Sequence, residues 1–464
     1  EQLKKDAAGY ELIISKAELR DFFVDGMENP VTVKAYTADN SISSRGAVVQ
    51  ADNKKQSAAR PNLYAVMMGV SDYKGNELDL KYAAKDATDI SNALSISAKK
   101  LLNTDGKEHV FVYKLTTAPD RYQLPEKKTI KALFDSIGKK ATANDILMIF
   151  FAGHGVMTGE AGKKQFYFLT ADASTLSTTA AVKDVGISTD ELSEWMKPQN
   201  IKAQKRILIF DACNSGQAIK DFVKMGKQGE GFLAARSDDK TQQVTAIDKL
   251  NEKSGLFILS ASASDQNAYE MGRYSQGLLT YSLLKAIKQQ PDILEDGKYL
   301  NISRWFNSAE KAVAELAKET GNRQEPQMVT TTNFNIGMVD EEVMKNIVLP
   351  QEKILFAHCN FQNADESISA DDLGLNKLTD QQLNDISART VNSTIAFTTS
   401  TVSPDAYTLS GRYTVAGNTV RIKIFIRGNN GLEQRSELSG TTDKLNELAA
   451  LVAAKAAEWA GSKK

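Results

Sequence analysis

Ile146-Leu-Met-Ile-Phe-Phe151 runs directly into Ala152-Gly-His154-Gly155, and Arg206-Ile-Leu-Ile-Phe210 runs directly into Asp211-Ala-Cys213-Asn-Ser-Gly216. Each is a short, continuous apolar run that ends abruptly in small and polar residues. Such runs read as strands buried on both faces, the kind found inside parallel sheets covered by helices. In those sheets ligands bind beyond the carboxyl ends of the strands, where a His and a Cys distant in sequence can meet. A thiol with a free pKa of about 8.5 is mostly protonated at neutral pH and needs a base or a positive neighbour. An imidazole supplies either role. The flanking glycines let backbone N–H groups approach a substrate closely, as stabilisation of a developing oxyanion requires.

Outward from these two runs the same alternation continues. Leu63 to Val70 is another apolar run, and Leu80, Ala83, Ala87, Ile90 and Leu94 then recur at helical spacing. Strands are expected at 109–115, 165–169 and 255–260, and helices at 127–140, 189–196, 278–288 and 302–319. Strands alternating with helices imply parallel crossovers, so the expected fold class is α/β, a mostly parallel sheet flanked by helices on both faces. Residues 217–254 break the pattern with a polar, Gly- and Lys-rich stretch, too long for an ordinary connection inside a compact domain. The expected division is a β segment and linker over 1–61, a main α/β domain over 62–338 and an accessory α/β domain over 350–464. In the accessory domain a strand at 353–357, a helix at 380–387 capped by Asp380, and a hairpin turning at Ala416-Gly-Asn418 are expected.

The 464 residues carry 57 Lys and Arg against 58 Asp and Glu. That balance argues against wholesale nucleic-acid binding, which needs a basic face, and no nucleic-acid partner is expected. Two cysteines, Cys213 and Cys359, exclude a disulfide framework and a CxxC-type zinc site. No apolar stretch is long and charge-free enough to span a bilayer. The chain opens on Glu1 rather than Met, so a fragment or processed product is expected and the missing secretory signal leaves the compartment unknown. A soluble protein is the expectation.

The two strand ends together, Phe-Phe-Ala-Gly-His154-Gly and Phe-Asp-Ala-Cys213-Asn-Ser-Gly, resemble the caspase and metacaspase superfamily of cysteine peptidases, clan CD, and most closely its bacterial orthocaspase members. The His-to-Cys separation is near the ~50 residues of caspases. Leu63 to Tyr73, Leu80 to Ala87, Leu259 to Glu270, Gly277 to Leu284 and Gln324-Glu-Pro326 extend the resemblance over about 62–335. Asp211-Ala-Cys213 stands where true caspases carry Gln-Ala-Cys, which is the metacaspase pattern.

The resemblance implies roles. Cys213 is the nucleophile, His154 the base and later the acid, and the N–H groups of Gly155 and Cys213 form the oxyanion hole. Asp86 and Asp211 match acids that line the pocket for the residue before the cut, and Asp265, with Glu270, lies in a region bordering the cleft. The implied activity is a cysteine endopeptidase acting on proteins or peptides with Arg, or less readily Lys, before the cut, with autoprocessing in 217–254 and no cofactor. Blander readings stand beside these: Asp211 as a turn cap, Asp86 as a helix-surface acid, Asp172 as a turn residue, His109 as a packed imidazole. His358 and Cys359, adjacent on an expected strand, would face opposite sides. The alternative function is a catalytically silent caspase-fold module that binds peptides or signals. The accessory domain weakly resembles TolB amino-terminal and FlgO-type domains, and its expected task is scaffolding, partner-protein binding or regulation; the orthocaspase resemblance implies the bacterial cytoplasm or periplasm as the compartment.

Overall fold

The computed structural model describes residues 3–463 apart from 7–8, 21, 24–27, 36, 38–43, 53–59, 160–164, 176–177, 213–214, 216–255, 263–269, 272, 320–323, 330–332, 366–370, 390–392, 399–402 and 404. The stretch 217–254, where autoprocessing is expected, lies outside the described residues, as do Cys213 and Asp265.

The apolar runs form one six-stranded sheet. Its strands are β1 (Leu63–Gly69), β2 (Val110–Thr116), β3 (Ile146–Gly153), β7 (Lys205–Ala212), β8 (Leu256–Ser260) and β9 (Gln327–Val329). The spatial order is β9-β8-β7-β3-β1-β2, parallel throughout except for β9. All eight residues of β3 are buried, as a central strand covered on both faces must be.

Alternate residues feed two cores. Tyr64, Val66 and Met68 of β1, Leu147, Ile149 and Phe151 of β3, and Leu208 and Phe210 of β7 share one core. Ile130, Leu133, Phe134 and Ile137 of helix α2 (Lys127–Gly138) belong to the same core, and their spacing gives that helix its single apolar face. Phe151 stacks on Phe210 at 5.1 Å and meets Phe168 at 4.4 Å. Phe168 belongs to a small antiparallel sheet of β4 (Gly155–Thr158), β5 (Gln165–Leu169) and β6 (Gly186–Ser188). Helix α3 (Thr189–Trp195) follows it, opened by a Ser188–Glu191 capping box.

The opposite face of the sheet takes α1 (Ala83–Leu102). Gly69 makes that approach possible, because a Cβ there would lie 2.4 Å from the Ala83 carbonyl oxygen and 2.7 Å from Ala87 Cβ. The α/β architecture with helices on both faces is therefore the one the sequence pattern calls for. Strands β4 and β6 are too short for their periodicity to show.

The chain divides into two compact units. The first comprises 1–268, 282–310 and 325–348, and the second 269–281, 311–324 and 349–464. The first also holds two antiparallel N-terminal hairpins, Leu3–Asp6 with Gly9–Leu12 and Glu28–Val33 with Ala47–Asp52.

In the second unit the Lys353 N–H donates to the Arg273 carbonyl and the Tyr281 hydroxyl donates to Glu352, at 2.9 and 3.1 Å. The segment 349–353 is thus tied to residues 273–281. A four-stranded sheet dominates this unit: β11 (Asn360–Asn363), β13 (Thr408–Ala416), β14 (Thr419–Gly428) and β15 (Gly431–Thr441). Beside it β10 (Ile354–Phe356) pairs with β12 (Ile395–Phe397). Val420, Ile422, Ile424 and Ile426 of β14 share a core with Leu383 of α4 (Leu375–Arg389) and with Leu448, Val452 and Trp459 of α5 (Leu445–Ser462).

Three local expectations need correction here. The helix begins at Leu375, where the Asp371 carboxylate accepts from the Leu375 and Asn376 N–H groups, so Asp380 sits inside it and caps nothing. His358 and Cys359 lie between β10 and β11 rather than on a strand, and both bond Asp380. The hairpin turn is Gly417-Asn418, because Ala416 already pairs with Thr419; Gly417 takes a φ of 59°, which a Cβ would resist.

Candidate active site

Parallel register brings three strand ends to one level. Gly69 of β1 pairs with Ala152 of β3, and Ala152 pairs with Asp211 of β7. One step on, Gly153 pairs with Ala212, so the residues that immediately precede His154 and Cys213 are partners on adjacent strands. Asp211 is buried at the carboxyl end of β7. Gly155, half of the expected oxyanion hole, is buried and opens β4 opposite Phe168. Glu270 lies on a two-residue strand that pairs with Gly277.

His154 is half-buried and held on three sides. Its backbone N–H donates to the Tyr73 hydroxyl at 2.9 Å, its carbonyl accepts from the Leu169 N–H at 3.0 Å, and its ring lies 5.3 Å from that of Tyr73. Nε2 stands 2.8 Å from the Leu78 carbonyl oxygen. A carbonyl only accepts, so Nε2 carries the proton and Nδ1 is left with the basic lone pair. Gly153 makes the turn into this position with a φ of 151°, and a Cβ there would meet the Tyr73 hydroxyl at 2.8 Å.

Neither Leu78 nor Tyr73 was singled out from the sequence. A backbone carbonyl leaves no side-chain signal, and Tyr73 read simply as part of a strand-end motif. The loop bearing both is itself fixed. The Tyr73 N–H donates to Asp79, and the Ser71 hydroxyl accepts from the Ala84 N–H in the first turn of α1.

Asp86 lies in that first turn and is buried, with 2% exposure, so it is not a solvent-facing acid. A carboxylate here lies at the positive end of the helix dipole. Because α1 packs on Gly69 through Ala83, Ala84 and Ala87, the turn bearing Asp86 lies at the carboxyl end of β1, next to β3 in the sheet.

Other sets of reactive residues are spent on structure. Asp380 accepts from His358 Nδ1 at 2.6 Å and from the Cys359 N–H at 2.9 Å. Burial first, and Asp380 second, push the Cys359 thiol far up, so this Cys–Asp–His grouping holds no nucleophile. His109 contacts Asn62 and Asp105 and closes the turn before β2. Asp172 accepts from the Thr170 hydroxyl in a turn. A groove of about 430 Å³ beside β2, lined by Ser91, Lys99, Glu108, Tyr113 and Tyr122 among others, includes none of the candidate residues. Among the described residues no helix is long and apolar enough to cross a membrane.

A solved Geobacter sulfurreducens protein is similar to 63% of the chain over 98% of its own length, with 16% identity and a TM-score of 0.35. An uncharacterized protein of known structure is similar to 24% of the chain over 92% of its own, with 14% identity and a TM-score of 0.17. No curated protein matches significantly. The caspase domain of the C14 peptidases matches residues 62–335, the stretch that holds every strand of the main sheet and the two strand ends that lead into His154 and Cys213. That match covers more than half of the sequence, and with it the chain belongs to the caspase-domain family of cysteine peptidases.

Proposed function

We propose that this chain is a cysteine endopeptidase that cuts after Arg, and less readily after Lys, with His154 and Cys213 as its catalytic pair. One observation carries the reading: Gly153 and Ala212, the residues just before His154 and Cys213, are register partners on adjacent parallel strands. Nδ1 of His154 takes the thiol proton, and the thiolate attacks the scissile carbonyl. The N–H groups of Gly155 and Cys213 receive the developing oxyanion. Collapse expels the amine, which leaves with the proton from His154, and a water activated by the same imidazole then hydrolyses the thioester.

Asp211 and Asp86 supply the negative floor that reads a basic side chain, and Asp265 belongs to the stretch that borders the cleft in the family. A substrate guanidinium meets a carboxylate with two parallel hydrogen bonds where Lys offers a point charge. An acidic residue before the cut would set like charges together in a partly dry site, a repulsion of about 4 kcal/mol at contact distance. The Lys-rich stretch 217–254 is the proposed autoprocessing site, and the unit formed around 350–464 the accessory one.

The deciding experiment is stoichiometric labelling by an arginyl acyloxymethyl ketone, with the adduct mapped by mass spectrometry. Labelling at Cys213, absent in Cys213→Ala, is the expected result, and Asp211→Asn should lower turnover of Arg peptides at least tenfold. An intact, unlabelled Cys213 would instead favour the silent peptide-binding module.

A further inference from the structure

Helices α4 and α5 and the apolar residues of β14 share one core, which leaves the other face of the β11-β13-β14-β15 sheet open. Along β14 that outer face carries Arg421, Lys423, Phe425 and Arg427, each alternating with a buried aliphatic residue. Cross-strand partners add to it. Arg412 of β13 stands opposite Lys423, and Arg435 of β15 opposite Phe425.

Five cations therefore share one small surface, and Glu437 is the acid opposite them among the described strand positions. The neighbouring Glu433 is engaged instead by Lys463, which follows α5. Arg421, Lys423, Arg427 and Arg435 make no ion pair with a described residue. Arg412 against Lys423 is a like-charge cross-strand pair, an arrangement that destabilises a sheet. A chain with a net charge of -1 has no compositional reason to gather cations in this way. The whole-chain balance that argues against wholesale nucleic-acid binding averages over this surface and hides it.

The chemistry of the face narrows what covers it. Phe425 is half-buried at the centre, with the Arg427 and Arg435 guanidinium groups each 5.6 Å from its ring centroid. Around it the outward positions are polar: Ser410, Thr414, Ser439 and, on β11, Gln362. A membrane-docking face needs several apolar side chains to insert, and this one presents a half-buried ring and, opposite Arg427 at the sheet end, Leu432. Cations for phosphates, an aromatic ring and guanidinium planes for stacking, and short hydrogen-bonding side chains make up the inventory of an open sheet that holds a single strand.

We propose that this outer sheet face binds single-stranded nucleic acid, its phosphates on Arg412, Arg421, Lys423, Arg427 and Arg435 and a base on the Phe425–Arg platform. The proposal does not depend on peptidase activity.

The test is fluorescence anisotropy of the full chain with a labelled oligo(U) RNA and its DNA counterpart across a salt series. Binding should weaken with salt at a slope approaching about -3.5 in log–log form, from about -0.7 per neutralised phosphate. The exposed quadruple variant R421Q/K423Q/R427Q/R435Q should bind more than tenfold more weakly, with a flatter slope and no loss of thermal stability. Phe425→Leu keeps the apolar contact and should cost about fivefold or more without altering the slope. Absence of binding, or equal binding by the quadruple variant, overturns the proposal. So does binding of polyglutamate or of phosphatidylglycerol vesicles as tight as that of RNA, which would assign the face to an acidic protein or a lipid surface.

Discussion

Tyr73→Phe removes one oxygen atom and leaves the ring whose centroid sits 5.3 Å from that of His154. That oxygen accepts the His154 N–H at 2.9 Å. Leaving a buried donor unsatisfied costs about 1–3 kcal/mol, and because His154 is half-buried water can reach the freed N–H, so about 1 kcal/mol is expected. In a domain of this size that is about 2–4 °C of melting temperature. The catalytic effect should be larger than the loss of stability. The Tyr73 hydroxyl and the Leu78 carbonyl fix the backbone and the ring of one residue, and sub-ångström misplacement of a base costs more than the bond that held it. We expect kcat to fall about tenfold, equivalent to about 1.4 kcal/mol of barrier, with KM changed little because no substrate contact is removed. The assay is steady-state cleavage of an arginyl peptide beside thermal unfolding of both proteins. A Tyr73→Phe variant with wild-type kcat and melting temperature would show that this hydrogen bond neither positions His154 nor stabilises its loop.

The other predictions concern the scaffold. Gly69→Ala should destabilise the protein by about 1–3 kcal/mol, because the new Cβ meets the backbone of α1 at 2.4 Å and only a shift of the helix relieves it; calorimetry measures the cost, and an unchanged melting temperature would refute the close approach. The same shift moves Asp86, so residual activity should fall more steeply than stability. For Glu191, burial pushes the carboxyl up, but Lys127 at 2.9 Å and the Ser188 N–H at 3.0 Å outweigh it and hold the group below its ordinary 4.5. A depressed carboxylate pKa contributes stability above pH 4.5 that is lost as pH falls through the folded value. Glu191→Gln keeps the capping box and removes the charge. It should therefore cost about 0.5 kcal/mol near neutral pH, after allowance for solvent screening, and progressively less as pH falls through the folded value; urea titrations across an acidic pH series that show a constant difference would contradict this.

The sequence alone determined the layered α/β class and the placing of His154 and Cys213 at strand ends, because a strand buried on both faces must be a continuous apolar run. The runs Ile146–Phe151 and Arg206–Phe210 announce themselves for that reason. It also marked Gly153 and Gly155, whose small size next to a His is a local signal. It could not show strands β4 and β6, too short to develop a period, or β15, whose polar, mostly exposed residues lack the alternation of a half-buried strand. Asp380 looked like a cap because caps are recognised from one residue and its neighbours, whereas its partners His358 and Cys359 lie more than 20 positions away in the chain. Only tertiary structure decided the level at which Gly69, Ala152 and Asp211 align, since register depends on how three separate strands pack on common helices. It alone chose the Leu78 carbonyl as the partner that fixes the tautomer of His154, because every residue carries the same carbonyl and only the fold selects the one within 2.8 Å.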